Sequence, residues 1–127
     1  MPAPRRVVIV VDDEDITRDV VGAMLALDDL VVHHASTGEA ALALTDEVKP
    51  DLVLLDVMMP GMDGFEVCRN IRKTYGDAPP RVVMLTARAD LEARAAAADA
   101  GAVGYLVKPF SARDLFRFVD EEPVGGA

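Results

Sequence analysis

Residues 52–64 are Leu52-Val53-Leu54-Leu55-Asp56-Val57-Met58-Met59-Pro60-Gly61-Met62-Asp63-Gly64, in which four consecutive apolar residues lead into a carboxylate. An uninterrupted apolar run bounded by turn residues is typical of a strand buried on both faces, as in a parallel sheet. Because Pro60, Gly61 and Gly64 follow closely, the chain leaves the sheet just after Asp56. The sequence therefore predicts that Asp56 lies at the carboxyl end of a central strand, the edge where open α/β sheets bind ligands.

The composition indicates one acidic globular domain. The chain has 127 residues, a single-domain length, and 51% of them are hydrophobic, enough for one real core. The formal net charge of −9 disfavours nucleic-acid binding and suits a domain that takes up a metal cation or meets a basic partner. Cys68 is the single cysteine, which favours a reducing compartment. Since no run resembles a signal peptide or a membrane span, we expect a cytoplasmic protein without membrane contact.

Apolar strands alternate with helical segments along the whole chain. The predicted strands are residues 7–11, 30–35, 52–56, 81–86 and 103–107. The predicted helices are residues 16–27, 36–48, 64–75, 91–100 and 111 to about 121. Short strands with crossover helices predict a parallel sheet covered by helices on both faces, hence an α/β fold. We expect this domain to span residues 1–122, with residues 123–127 as a flexible tail or the start of a linker.

Two helix starts carry local signals. The apolar residues Ile16, Val20, Met24 and Leu27 have helical spacing, and Asp15 is the expected N-cap before them. A capping box from Ser36 to Glu39 is expected to open the second helix.

Polar side chains follow or end the predicted strands. Parallel strands deliver their carboxyl ends to one edge, so the following residues should meet there: Asp12, Asp13, Asp56, Thr86 and Lys108. Crowded carboxylates raise one another's pKa unless a cation lies among them, and an all-oxygen ligand set favours Mg²⁺. A lysine and a threonine can bind phosphoryl oxygens, and an aspartate can itself be the nucleophile that forms an aspartyl phosphate.

Five segments of the chain resemble the receiver domain of two-component response regulators. They are Val10–Asp13, Leu54–Gly64, Met84–Ala87, Ala100–Ala102 and Tyr105–Phe110, in that family's order and spacing. The resemblance covers nearly all of the chain. It implies a flavodoxin-like (βα)5 fold, a doubly wound parallel sheet of five strands in the order 2-1-3-4-5. It also implies a phosphorylation-controlled switch rather than an enzyme.

The resemblance implies a role for each residue at this edge. Asp56 matches the phospho-acceptor, which takes its phosphoryl group from a sensor histidine kinase or a histidine phosphotransfer protein. The ligands of Mg²⁺, or of Mn²⁺ in its place, match Asp12, Asp13, Asp56 and the backbone carbonyl of Met58. The groups that contact the phosphoryl group or switch with it match Thr86, Ala87, Lys108 and Tyr105. The peptide bond before Pro109 is cis in this family.

The resemblance also implies which surface transmits the signal and which residues set the lifetime of the phosphorylated state. The surface matches Leu91–Glu121, which in the family contacts a downstream protein or a linked output domain and often forms a phosphorylation-dependent homodimer. The positions that tune the lifetime of the phosphorylated state match Met58 and Arg88. Because Met58 is apolar and cannot orient an attacking water, we predict slow autodephosphorylation.

Other interpretations stay open at this point. A haloacid-dehalogenase-like Mg²⁺-dependent phosphatase also uses a strand-end aspartate, but it needs a second aspartate where this chain has Met58. A flavin carrier of the same sheet order needs a phosphate loop where Asp12–Asp15 would repel a phosphate. A phosphorylation-independent interaction module is the third alternative. The sequence names neither the kinase nor the output, and fits both a stand-alone regulator and a domain of a longer one.

Overall fold

The computed structural model describes residues 6–26, 30–87 and 90–119. In chain order the elements are β1 (Arg6–Val11), α1 (Asp15–Met24), β2 (Leu30–Ala35), α2 (Gly38–Val48), β3 (Leu52–Asp56), α3 (Gly64–Thr74), β4 (Arg81–Thr86), α4 (Leu91–Ala100), β5 (Gly104–Val107) and α5 (Ala112–Val119). The strands pair in parallel in one sheet of order β2-β1-β3-β4-β5. The predicted α/β class and strand order are confirmed.

The sheet separates two apolar cores. Side chains of β1, β3 and β4 alternate between them, so that Val10 and Leu54 lie in one core while Ile9 and Leu55 lie in the other. Helices α1 and α5 cover the first core, and α2, α3 and α4 cover the second. Every residue of β3 is buried, which explains its uninterrupted apolar sequence. Because both faces of β3 are covered, its functional groups can meet a ligand only at the carboxyl end, where Asp56 lies.

The spacing of Ile16 and Val20 predicts the helix α1 but does not mark its buried face. Ile16 is 76% exposed and Val20 is 48% exposed, whereas Val21 and Leu25 are buried against the sheet. Both pairs have four-residue spacing, so periodicity alone does not choose between them; the packing of α1 against the sheet does. The N-cap is also displaced, because the helix begins at Asp15 and Glu14 occupies the cap position without a side-chain bond. Leu27 lies outside the described residues.

The cap of α2 is Thr37 rather than the predicted Ser36. The Thr37 hydroxyl accepts a hydrogen bond from the Ala40 amide at 3.1 Å, and the helix begins at the next residue, Gly38. Ser36 lies one residue further from the helix, in the connection that follows β2. Helices α3 and α4 have aspartate caps of the same kind.

The last two elements are shorter than predicted within the described residues. Strand β5 begins at Gly104 instead of Val103, and α5 begins at Ala112. A Cβ atom on Gly104 would lie 2.2 Å from the Phe118 ring, so β5 and α5 approach closely only because this residue has no side chain. The predicted continuation of α5 to residue 121 and the tail at 123–127 lie outside the described residues. Across the described part of the chain, no helix has the length and apolar character needed to span a membrane.

Candidate functional site

The carboxyl ends of four strands meet at one edge of the sheet. Asp56 and Thr86 are the last residues of β3 and β4, while Asp12 and Lys108 directly follow β1 and β5. Backbone bonds tie these ends together: the Asp12 amide donates to the Ala35 carbonyl at 3.1 Å, and the Lys108 amide donates to the Thr86 carbonyl at 2.7 Å. These bonds fix the main chain from which the side chains of Asp12 and Lys108 project.

Three carboxylates converge at this edge. Asp12, Asp13 and Asp56 each place one oxygen within 4.8 Å of the others. Asp12 and Asp56 are buried, at 0% and 4% exposure, and Asp13 is exposed. The cluster consists of oxygen donors alone, which fits a hard divalent cation and not zinc. A mixture of buried and exposed ligands leaves one side of such a site open to water.

Lys108 bridges the two buried acids. Its Nζ lies 2.8 Å from Asp12 Oδ2 and 3.5 Å from Asp56 Oδ1. Burial acts to lower the pKa of Lys108, but its bonds to Asp12 and its attraction to Asp56 outweigh burial and raise that pKa. The lysine is therefore held as a cation. Lys108 contacts two of the three carboxylates, so the cluster keeps an excess of negative charge that a divalent cation would offset.

The surroundings of Asp56 disfavour its charged form. Burial, with the charges of Asp12 and Asp13, raises the pKa of Asp56 to about 6 against the opposing effects of Lys108 and the Met58 amide. A cation beside this carboxylate would favour its charged form, which is the nucleophilic form. The pKa shift and the ligand geometry thus both favour a cation at this edge of the sheet.

The two oxygens of Asp56 have different surroundings. The Met58 amide donates to Oδ1 at 3.2 Å, and the Lys108 contact also goes to Oδ1. The described residues place no donor on Oδ2, and none of their buried side-chain oxygens lacks a partner, so Oδ2 reaches the surface. Oδ2 is therefore the oxygen that is open to an incoming electrophile.

The turn after β3 packs tightly against the strand end. A Cβ atom on Gly64 would lie only 2.4 Å from the Asp56 carbonyl oxygen. The Gly64 amide donates to the Val57 carbonyl at 3.0 Å, which closes the turn. Glycine at this position lets α3 begin beside the acceptor and holds the main chain of Asp56 in place.

The remaining predicted site residues surround this cluster. Thr86 is buried, Ala87 and Met58 are exposed at the rim, and Tyr105 is half-buried. The Lys108–Pro109 peptide bond is cis, as the resemblance implied. Arg88 lies outside the described residues.

Sequence reasoning missed Arg18. Its guanidinium donates to the Asp12 carbonyl at 2.6 Å and also pairs with Asp15. The Glu14 amide bonds Asp12 Oδ1 at 2.9 Å, so Asp12 is fixed through both its main chain and its side chain. The three-residue spacing of Asp15 and Arg18 within an acidic segment was the available signal.

Comparisons with known proteins agree with this geometry. The family model of the response regulator receiver domain matches residues 8–120. The chain is similar to the response regulator MprA of Mycolicibacterium vanbaalenii, with 44% identity over 108 residues, 85% of this chain and 46% of that protein. It therefore spans about half the length of this curated relative.

Two solved structures are similar over most of the chain. The signal receiver domain of NarL from Mycobacterium tuberculosis superposes with a TM-score of 0.84 at 34% identity, covering 92% of this chain and 94% of that one. A chain of the CheX–CheY–BeF3–Mg²⁺ complex from Borrelia burgdorferi superposes with a TM-score of 0.82 at 26% identity, covering 90% and 86%.

Proposed function

This chain belongs to the response regulator receiver family, and from that premise we propose that Asp56 accepts a phosphoryl group from a phosphohistidine. The observation that carries the proposal is the bridge of Lys108 between Asp12 and Asp56 in a cluster of three carboxylates. Asp56 Oδ2 attacks phosphorus, the phosphorus–nitrogen bond breaks, and the imidazole leaves with its electron pair and is protonated. The donor is a sensor histidine kinase or a histidine phosphotransfer protein.

The carboxylates would hold Mg²⁺, or Mn²⁺ in its place. Its ligands would be Asp12, Asp13, Asp56 and the backbone carbonyl of Met58. When bound, the cation supplies positive charge that offsets the repulsion between these acids and the incoming phosphoryl oxygens. Lys108 neutralises a further phosphoryl oxygen, and the small exposed side chain of Ala87 leaves room for the group beside the strand end.

Phosphorylation then changes the conformation of a surface next to the site. The Thr86 hydroxyl moves to a phosphoryl oxygen and the Tyr105 ring follows it inward, which biases a two-state element rather than creating a new one. The affected face is formed by α4, β5 and α5, within the predicted range 91–121. We propose that it contacts a downstream protein or a linked output domain, or a second copy of the phosphorylated chain.

The proposed activity is that of a switch and not of a phosphatase. The chain has no carboxylate two residues after Asp56, where Met58 is 63% exposed. A general acid for turnover of phosphate esters is therefore lacking at that position. We place the domain in the cytoplasm, where its kinase and its reduced cysteine would be found, with no direct contact to nucleic acid or membrane.

Intact-mass spectrometry after incubation with acetyl phosphate tests the proposal. We expect one phosphoryl adduct with Mg²⁺, none with a chelator, and none in Asp56→Asn. Asp63→Asn is the matched control, because it changes a carboxylate in the same turn while asparagine still caps α3. If the parent protein forms no adduct and also fails to bind beryllofluoride with Mg²⁺, the phospho-acceptor role is wrong.

A further inference from the structure

A cation lies over the ring of the proposed switch tyrosine. The Arg94 guanidinium carbon is 5.1 Å from the centroid of the Tyr105 ring. This separation lies within the range of about 6 Å over which a guanidinium is attracted to an aromatic face. Arg94 is exposed on α4 and Tyr105 is half-buried on β5, so the contact joins two elements of the proposed output face.

The ring and the switch hydroxyl lie on the same face of the sheet. Tyr105 pairs with Met84 of β4, and both belong to the core covered by α2, α3 and α4. Thr86 is two residues beyond Met84 on the same strand, so its side chain points to that face as well. A movement of the Thr86 hydroxyl therefore changes the space available beside the Tyr105 ring.

The buried side chains of α4 are small. They are Ala93, Ala97 and Ala100, each of which offers only a methyl group. Leu91 is 84% exposed and contributes little packing. Arg94 is well placed because its amide donates to the Asp90 carbonyl at 3.1 Å in the capped first turn of the helix.

We propose that Arg94 is a positioning residue for the switch: its charge holds the Tyr105 ring against α4 and sets how readily the ring moves when Thr86 moves. This role rests on the proposed function. Typical strengths of such contacts correspond to a change of about two- to thirty-fold in an equilibrium between two ring positions. Loss of the charge should therefore shift the ring toward its alternative position before any phosphorylation.

The test observes the ring directly in the metal-free protein. In a Tyr75→Phe background Tyr105 is the only tyrosine, so biosynthetic 3-fluorotyrosine gives one ¹⁹F resonance from this ring. Arg94→Met keeps a long apolar side chain without charge, and Arg94→Lys keeps the charge. Arg69→Met, an exposed arginine on α3, is the matched control.

We expect Arg94→Met to displace or broaden the resonance toward the position that the parent reaches with beryllofluoride and Mg²⁺. Arg94→Lys should restore most of the parent spectrum, and Arg69→Met should leave it unchanged. A parent-like spectrum in Arg94→Met, or equal displacement in the methionine and lysine variants, would overturn the role of the charge.

A second readout separates this inference from the proposed function. Adduct formation with acetyl phosphate, measured by mass, reports the chemistry at Asp56 and does not depend on the ring. Normal adduct formation with no ¹⁹F response to Arg94→Met removes the positioning role and leaves the phospho-acceptor intact. A parent resonance that does not move with beryllofluoride, in protein that forms the adduct, also removes the positioning role.

Discussion

The Asp56 carboxylate is placed where its charge costs folding energy. Its pKa is about 6 in the folded protein, against an ordinary value of 3.8, chiefly because of burial. The folded state therefore binds more protons than the unfolded state between these values, so stability falls as pH rises through this window. Each pKa unit corresponds to about 1.4 kcal/mol, so the penalty above pH 6 is about 1–3 kcal/mol.

We predict that Asp56→Asn raises the melting temperature of the metal-free protein at pH 7.5, since asparagine keeps the shape without the charge. Lys108 is expected to keep its bond to Asp12, which is 2.8 Å long in the parent protein. The gain should shrink toward pH 4, where Asp56 itself is protonated. Calorimetry at both pH values, with the exposed Asp19→Asn on α1 as control, measures the difference. A variant less stable than the parent at pH 7.5 would contradict the assigned penalty.

Met58 governs a different property, the lifetime of the phosphorylated state. Its side chain is 63% exposed at the rim and offers no polar atom to orient a water for attack on the acyl phosphate. Met58→Asn introduces such a group, and we expect the phosphoryl group to be lost about tenfold faster. The decay of the mass adduct after removal of acetyl phosphate gives the rate. Met58→Leu is the apolar control, and equal rates for asparagine and leucine would exclude this role.

At the scale of the element, α4 is the helix with the least bulk facing the core. Its buried side chains are alanines only, whereas α3 buries Val67, Cys68 and Ile71. Alanine favours the helix itself but contributes little buried apolar area. Tertiary packing, not propensity, supplies most helix stability in proteins, so α4 should open more easily than its neighbours.

Amide hydrogen exchange measures how easily α4 opens relative to α3. We expect amides within α4 to exchange about ten- to a hundredfold faster than those of α3 at the same pH, reflecting local opening rather than global unfolding. Peptides from residues 91–100 and 64–74 report the two helices side by side in one sample. Protection of α4 equal to that of α3 would show that its alanines pack as firmly as larger side chains.

The same elements show what the sequence could and could not predict. Strands β2, β3 and β4 were predicted at their observed bounds because polar or turn residues follow their apolar residues closely. The spacing of Ile16 and Val20 predicted the helix α1 but could not identify its buried face, because Val21 and Leu25 have the same spacing. Thr37 was missed as the cap of α2 although the end of β2 was predicted correctly, because both Ser36 and Thr37 carry a hydroxyl that can cap a helix. Local patterns thus located the elements, and tertiary packing set the rotation of α1.

At the scale of the whole molecule, parallel topology assembles the site from distant segments. Asp12 and Lys108 are 96 positions apart in sequence and 2.8 Å apart in space. The prediction that strand ends meet at one edge was sufficient to bring these two residues and Asp56 together. It could not predict that Lys108 lies closer to Asp12 than to Asp56, or that Arg18 holds the Asp12 carbonyl. Those details depend on side-chain length and helix placement, which strand patterns do not encode.

The excess negative charge of the assembled site predicts coupling between cation binding and global stability. A ligand that binds only the folded state adds about 2.7 kcal/mol at a hundredfold excess over its Kd. Mg²⁺ should therefore raise the melting temperature at pH 7.5, and much more than Na⁺ at equal ionic strength. Because a proton on Asp56 competes with the cation and the pKa of that group is about 6, the effect should weaken as pH falls toward 5.

Thermal unfolding with Mg²⁺ titrations at pH 7.5 and pH 5 measures this coupling. The Asp13→Asn variant removes one exposed ligand without changing either buried acid, so it should lower the apparent affinity while keeping the fold. Asp99→Asn is the charge-matched control, because Asp99 is an exposed aspartate in the last turn of α4 and does not belong to the carboxylate cluster. A shift that is equal at both pH values, or equal in the Asp13 and Asp99 variants, would mean that Mg²⁺ acts on the acidic surface as a whole. A shift confined to high pH and to intact Asp13 would place the binding at the strand-end carboxylates.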